Sequence, residues 1–219
     1  MKTAIVIDYG VGNSNAIANM LQYLGIHTKI GADAADIRDA SLLILPGVGA
    51  FDHGMRALTS LQSFSVIEDQ VLNAGVPCLG ICLGMQMFFE SSEEGDSPGL
   101  SWIPGHSRRI TATAGQKIRL PHMGWSPVNI VRETPLFSPG VPSPSFYFVH
   151  SYAVCCSNKA HVIATAEYHS PITAVVKQDN IVGVQFHPEK SHRYGLAFFK
   201  ALTAWAFSTG PRQCQTSQP

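Results

Sequence analysis

At 219 residues, with 45% hydrophobic and only 14% charged side chains, the chain is long enough to bury one sizeable core. Its 15 basic and 15 acidic residues cancel, so neither nucleic acid nor an anionic membrane is an expected partner. No apolar run reaches membrane-spanning length and Met1 to Asp8 turns acidic too soon for a signal peptide, so a cytoplasmic protein is expected. The five cysteines, Cys78, Cys82, Cys155, Cys156 and Cys214, are odd in number and form no Cys-x-x-Cys pair, and the nine histidines do not cluster at ligand spacing. Free thiols are expected, with neither a metal site nor a cofactor.

Thr3 to Ile7 is a continuous apolar run rich in β-branched residues, as in a strand buried on both faces of a parallel sheet. It empties into Asp8-Tyr9-Gly10-Val11-Gly12-Asn13. A helix follows, with Ala16, Ile17, Met20, Leu21 and Leu24 on one face and Gly25 at its close. The loop lacks the third glycine of a dinucleotide fingerprint, since position 15 is asparagine. Ser41 to Leu45 repeats the buried strand and ends in Pro46-Gly47-Val48-Gly49. Ala57 to Leu72 reads as helix, and Gly75 and Pro77 mark the entry to the next strand.

From Val76 to Gln86 a short apolar strand, a cysteine between two glycines and a helix start follow one another. A lone cysteine in an apolar stretch is most often a buried structural residue. Gly80 and Gly84 argue otherwise here, because a residue on a sharp strand-to-helix turn needs small neighbours; this is the pattern of a nucleophile elbow. Helix is expected over Leu83 to Phe89, then a polar loop from Ser91 to Gly99. From Trp102 to about Pro144 short alternations lie between proline and glycine breakers, more like antiparallel strands and loops than βαβ units. Phe146 to Val149, His161 to Ala166, Ile172 to Val176 and Ile181 to Phe186 read as strands. A closing helix carries Leu196, Phe199, Leu202 and Ala206 on one face, and a polar tail, expected to be disordered, runs from Thr209 to Pro219. The expected fold is therefore α/β: a mostly parallel central sheet flanked by helices, with additional antiparallel strands in the C-terminal half, in one domain over residues 1–208.

A thiol needs a base to become a strong nucleophile, and the base needs an orienting group. His187 ends a strand as Cys82 does, and Glu189, two residues on in an extended segment, can reach back to its ring. His122 and His150 also lie near strands, but neither has a carboxylate two residues later. Thiolate, base and oriented carboxylate imply acyl transfer at a carbonyl, with an oxyanion held by the N–H of Leu83 and a donor from the turn around Val48.

The motif Gly80-Ile81-Cys82-Leu83-Gly84-Met85-Gln86, with His187-Pro188-Glu189, resembles the class I (triad-type) glutamine amidotransferases. Ile7 to Asn13, Pro46 to Gly49, Pro121-His122-Met123-Gly124-Trp125, Tyr147 to Tyr152 and Gly183 to Ser191 extend the resemblance over nearly the whole chain except the tail. They bring it closest to the branch that passes ammonia to a cyclase making imidazole glycerol phosphate in histidine biosynthesis. The resemblance implies hydrolysis of L-glutamine by Cys82, His187 and Glu189, and a separate (β/α)₈-barrel cyclase as partner, giving a heterodimer. It implies that Gly49, Gln86, Glu94, Ser151 and Tyr152 hold the amino-acid end of glutamine. Asn13, Trp125, Tyr147 and Lys190 would lie towards the partner. It also implies that the Gly47-Val48 turn reorients when the partner binds its own ligand, leaving the isolated chain nearly inactive. Ser126 stands where asparagine is common, and Cys155 and Cys156 match no functional motif and read as half-buried strand residues. A peptidase-like cysteine hydrolase on the same scaffold and an inactive barrel-binding subunit are the alternative readings. Gln86 and the Tyr147 to Tyr152 motif have no use in the first, and no triad position is missing as the second would require.

Overall fold

The computed structural model describes residues 2–112, 117–137 and 143–208, so the expected disordered tail from Thr209 lies outside the described residues. The chain runs β1 (Thr3–Ile7), α1 (Ser14–Tyr23), β2 (His27–Gly31), α2 (Ala34–Arg38), β3 (Leu42–Leu45), α3 (Phe51–Thr59), α4 (Phe64–Glu68), β4 (Cys78–Ile81) and α5 (Leu83–Met87). Strands β5 (Ser91–Ser92), β6 (Gly105–Arg109), β7 (His122–Ile130), β8 (Ser145–His150), β9 (Tyr152–Cys156), β10 (Val162–Tyr168), β11 (Ser170–Gln178) and β12 (Ile181–Val184) follow, before the closing helix α6 (His192–Ser208).

A nine-stranded sheet in the order β2-β1-β3-β4-β12-β11-β10-β7-β8 forms the centre, and β5-β6-β9 form a small second sheet. β2, β1, β3, β4 and β12 are mutually parallel, and from β12 outwards to β8 every pairing is antiparallel. The parallel strands β3, β4 and β12 are buried at every position, which is why they read as unbroken apolar runs. In β1 alternate side chains feed opposite layers. Ala4 and Val6 join Ile17 and Leu21 of α1 and Phe199 and Leu202 of α6, while Ile5 and Ile7 join Phe51, Met55 and Leu58 of α3.

Several elements differ from expectation, among them α2, the β5 strand inside the expected polar loop, β2 and the helix before β4. β2 is an edge strand that exposes most of its residues, so no apolar pattern announces it. The helix expected over Ala57 to Leu72 is broken at residues 60–63. Thr59 and Ser60 hydroxyls donate back to the Met55 and Arg56 carbonyls at 2.8 and 2.6 Å, and the helix restarts at Phe64 and closes as a π turn over Asp69–Asn73.

The strand ends that carry the candidate site are packed on glycines. A Cβ on Gly84 would stand 2.1 Å from the Leu45 carbonyl oxygen, and one on Gly47 would stand 2.6 Å from the Gly84 nitrogen. A Cβ on Gly80 would meet the Phe88 ring at 2.5 Å. Backbone lies on the other side of the first two contacts, so no side chain can swing aside. Gly84→Ala should therefore destabilise the fold by about 1–3 kcal/mol or more, read as a lowered thermal unfolding midpoint. An unchanged midpoint would show that the elbow can open.

Where β7 pairs with β8, His122 lies opposite His150, and both are buried. His150 Nδ1 lies 2.7 Å from the Tyr152 carbonyl, which can only accept, so that nitrogen carries the proton. His150 Nε2 then accepts from His122 Nδ1 at 3.1 Å, and His122 Nε2 accepts from the Ser126 hydroxyl at 2.9 Å. Burial pushes His122 down to about 4 and His150 down to about 3, the latter against the opposing pull of the Tyr152 carbonyl. Between those values and the ordinary 6.5 the unfolded chain binds protons that the folded chain refuses, so stability is full above pH 6.5 and falls as pH drops. His150→Gln should flatten this fall by up to about 1.4 kcal/mol per pH unit. Unfolding midpoints compared between mildly acidic and neutral pH test it, and equal slopes in the two proteins would contradict it.

Candidate active site

β4 and β12 run side by side with Ile81 opposite Val184. The register continues past the strand ends, where the Cys82 amide donates to the Val184 carbonyl at 2.7 Å. This puts Cys82 level with Gln185, and His187 two residues further along the same face. Cys82 has φ 54° and ψ −107°, a conformation that side chains rarely adopt, and it leads directly into α5. The thiol is nearly buried, and the sharp change of direction expected of an elbow is made at this single strained residue, over the glycine packing described above.

His187 is held from both sides. Its amide donates to the Tyr147 carbonyl at 2.8 Å, and its own carbonyl accepts from the Ser191 hydroxyl at 2.6 Å. Nδ1 lies 2.7 Å from Glu189 Oε1, and both side chains are buried. The segment between them is not extended, as the spacing suggested. Pro188–Lys190 form one 3-10 turn capped by His187, with proline in the first-turn position where its missing N–H costs nothing. The turn, rather than strand alternation, folds Glu189 back onto the ring. Nε2 is buried, has no partner within hydrogen-bonding geometry, and lies beside Cys82. Burial alone would lower the imidazole pKa, but Cys82 and Glu189, through hydrogen bonding and charge, outweigh it and raise it to about 9. The His187 ring, set between the Cys82 sulfur and the Glu189 carboxyl, thus favours its protonated form, with a base and an orienting group in line beside the thiol.

The thiol opens on a cavity of about 170 Å³ lined by Val48, Gly49, Leu83, Gln86, Glu94, Ser151 and Tyr152, together with Val149 and His150. All the residues expected to bind the oxyanion and the amino-acid end of a substrate therefore share one space with Cys82. Val48 is exposed and Gly49 has φ +107°, in a turn buttressed from beneath. The Tyr9 hydroxyl donates to the Pro46 carbonyl, and Gly12 approaches Pro46 so closely that a Cβ would meet it at 2.7 Å. Glu94 accepts from the Phe51 amide at the start of α3 at 3.1 Å, and burial raises its carboxyl pKa. The loop bearing it is clasped to α3 by Asp52, which accepts from the Ser97 amide at 2.9 Å. Gln86 Nε2 donates to the Tyr152 carbonyl at 3.0 Å and to Gln185 Oε1 at 3.1 Å. Gln185 was given no role by sequence reasoning; the available signal was its place two residues before His187.

Trp125 and Tyr147 meet edge to face at 6.3 Å, Trp125 stacks on His192 at 5.5 Å, and Lys190 Nζ lies 5.8 Å from the Tyr147 ring centre. Trp125 and Met123 remain substantially exposed on this face. Asn13 is exposed and caps α1, accepting from the Ala16 amide at 3.2 Å. Cys155 and Cys156 lie half-buried in β9 and line a larger cleft of about 610 Å³. The Cys156 thiol is pushed up to about 12 by burial and by Cys155, so it is a poor nucleophile. No group of residues suited to a metal ion occurs among the described residues, and no described helix is long and apolar enough to cross a membrane.

The family profile for glutamine amidotransferase class-I matches residues 5–201. The imidazole glycerol phosphate synthase subunit HisH of Oceanobacillus iheyensis is 43% identical over 196 residues, covering 89% of this chain and 95% of that protein. The HisH 2 subunit of Pseudomonas aeruginosa is also 43% identical, covering 90% and 96%. The solved structure of PurLQS from Thermotoga maritima contains a chain of the same fold, with a TM-score of 0.69 at 19% identity over 93% of this chain and 98% of that one. By descent as well as by the arrangement around Cys82, this chain belongs to the class I glutamine amidotransferase family.

Proposed function

We propose that this chain is the glutaminase subunit of an imidazole glycerol phosphate synthase, hydrolysing L-glutamine to L-glutamate and ammonia for a cyclase subunit. The observation that carries the reading is the single cavity where Cys82, backed by His187 and Glu189, faces Gln86, Glu94, Ser151 and Tyr152. Relatives about equally long and 42–43% identical that carry this subunit's name support the choice within the family.

The Cys82 thiolate attacks the side-chain amide carbon of glutamine, and the carbonyl electrons move to oxygen. The Leu83 N–H and the N–H of the Val48 turn stabilise that oxyanion. His187, protonated at Nε2, gives its proton to the leaving nitrogen, so ammonia departs and a thioester remains. Water then gives a proton to His187 and its oxygen to the acyl carbon, releasing glutamate and the thiolate. Glu189 orients the His187 ring throughout and stabilises it whenever it is protonated. Gly49, Gln86, Glu94, Ser151 and Tyr152 orient the amino-acid end, and no cofactor takes part in the steps.

The exposed face around Asn13, Trp125, Tyr147 and Lys190 receives the cyclase, a (β/α)₈ barrel, in a heterodimer. Ammonia then passes between subunits without entering bulk water. Lys190 follows Glu189 directly, and the Tyr147 carbonyl holds the His187 amide, so the partner face and the catalytic base share backbone.

Glutamate release should be low for the chain alone and rise when the cyclase and its nucleotide ligand are added. Cys82→Ala should lower the stimulated rate by about a thousandfold or more. Release that persists in that variant, or equal peptidase activity without a partner, would overturn the reading. Trp125→Ala should weaken cyclase binding roughly tenfold or more in a titration, because exposed tryptophans anchor interfaces. Unchanged binding would place the partner elsewhere.

A further inference from the structure

We propose that Gln185 is a catalytic residue, a hydrogen-bond donor to the Cys82 sulfur that is locked in its donating orientation by Gln86. The inference rests on Cys82 being the nucleophile. Gln185 Nε2 lies 3.5 Å from Cys82 Sγ, and Gln185 is completely buried. An amide can be turned end for end, so the question is which atom faces the sulfur. The surroundings decide it. The Tyr152 carbonyl can only accept, so the Gln86 atom 3.0 Å from it must be the NH₂ group. The same nitrogen lies 3.1 Å from the Gln185 side chain, which must present its oxygen there. Gln185 is thereby left with its NH₂ group towards Cys82. Turning either amide would set two acceptors or two donors against each other in a dry interior.

The backbone fixes the same geometry. The Gln185 amide donates to the Ala174 carbonyl at 2.9 Å, holding this residue in register level with Cys82. Among the described residues its Nε2 has no other acceptor than the sulfur. A buried NH₂ group normally seeks an oxygen, so placing it on sulfur points to a need for the donor there.

That need is visible in the sulfur's other neighbours. The thiol can donate to the Val149 carbonyl at 3.9 Å, a contact that turns repulsive once the proton leaves. The thiolate is then stabilised from two directions, by protonated His187 and by the neutral Gln185 amide. The amide stabilises the anion without competing for the proton that His187 must deliver to the leaving nitrogen. Gln86 thus acts at a distance from the sulfur as well as at the cavity wall, and Tyr152, whose carbonyl also accepts from His150, anchors the whole chain of bonds.

The test is the pH dependence of Cys82 alkylation by iodoacetamide, mapped by peptide mass, in wild type, Gln185→Met and Gln185→Asn. Methionine keeps the length and removes the donor; asparagine keeps the amide and withdraws it. Loss of one hydrogen bond to a charged group should move the alkylation midpoint up by about one pH unit and lower glutaminase kcat about tenfold or more, with KM little changed. Gln185→Asn should shift both in the same direction. A midpoint and kcat that match wild type in a variant of unchanged thermal stability would overturn the proposal, whichever variant folds. The alkylation arm needs no glutamine turnover, so a wild type that proves inactive on glutamine would overturn the proposed function while the role of Gln185 is still decided by the midpoint.

Discussion

The parallel pairing of β4 with β12 is the constraint on which the site depends. Because Ile81 lies opposite Val184, the first residues beyond the two strands, Cys82 and Gln185, stand level, and His187 follows on the same face. A slip of one residue would turn Gln185 and His187 to the opposite face, away from the thiol. The register is secured by full burial of both strands and by the Cys82 amide bond to Val184. The strain at Cys82 is tolerated because Gly47, Gly80 and Gly84 let three backbones close together beneath it.

Electrostatics then divides the buried polar groups by task. His187, flanked by Cys82 and Glu189, favours its protonated form, whereas His122 and His150, buried without a carboxylate, stay neutral. Side chains of one type within one sheet region are thus set at opposite ends of the titration range by their partners. The neutral pair serves as a brace that ends on the Tyr152 carbonyl, the same atom that orients Gln86. The cavity wall at Gln86 and the amide facing Cys82 therefore share one anchor. The brace begins at Ser126, beside exposed Trp125 on the face assigned to the partner.

Much of this was legible in the sequence where one cause dominates a local pattern. Continuous apolar runs marked β1, β3, β4 and β12 because strands buried on both faces need nothing else. Glycines at 80 and 84 marked the elbow because only glycine fits there. The spacing of His187 and Glu189 marked their contact, although a 3-10 turn makes it and extended chain does not. What stayed hidden depends on distant partners. β2 is an exposed edge strand paired on one side only. The break after Thr59, where two hydroxyls bond back to carbonyls, has no glycine or proline to announce it. Gln86, Glu94 and the Ser151-Tyr152 pair lie on three separate segments that only the fold brings to one cavity, and family resemblance, not spacing, pointed to them. Gln185 is a neutral amide at the end of a buried strand, and nothing in one dimension distinguishes it from a packing residue.

The central claim is that Cys82 forms a covalent intermediate with the glutamine side chain. Labelling the complex with a glutamine-like diazoketone and mapping the adduct by peptide mass tests it most directly. The account predicts one equivalent of label, all on Cys82 and prevented by excess glutamine. Label on Cys78, Cys155 or Cys156, or no label while glutamate is being released, would contradict it.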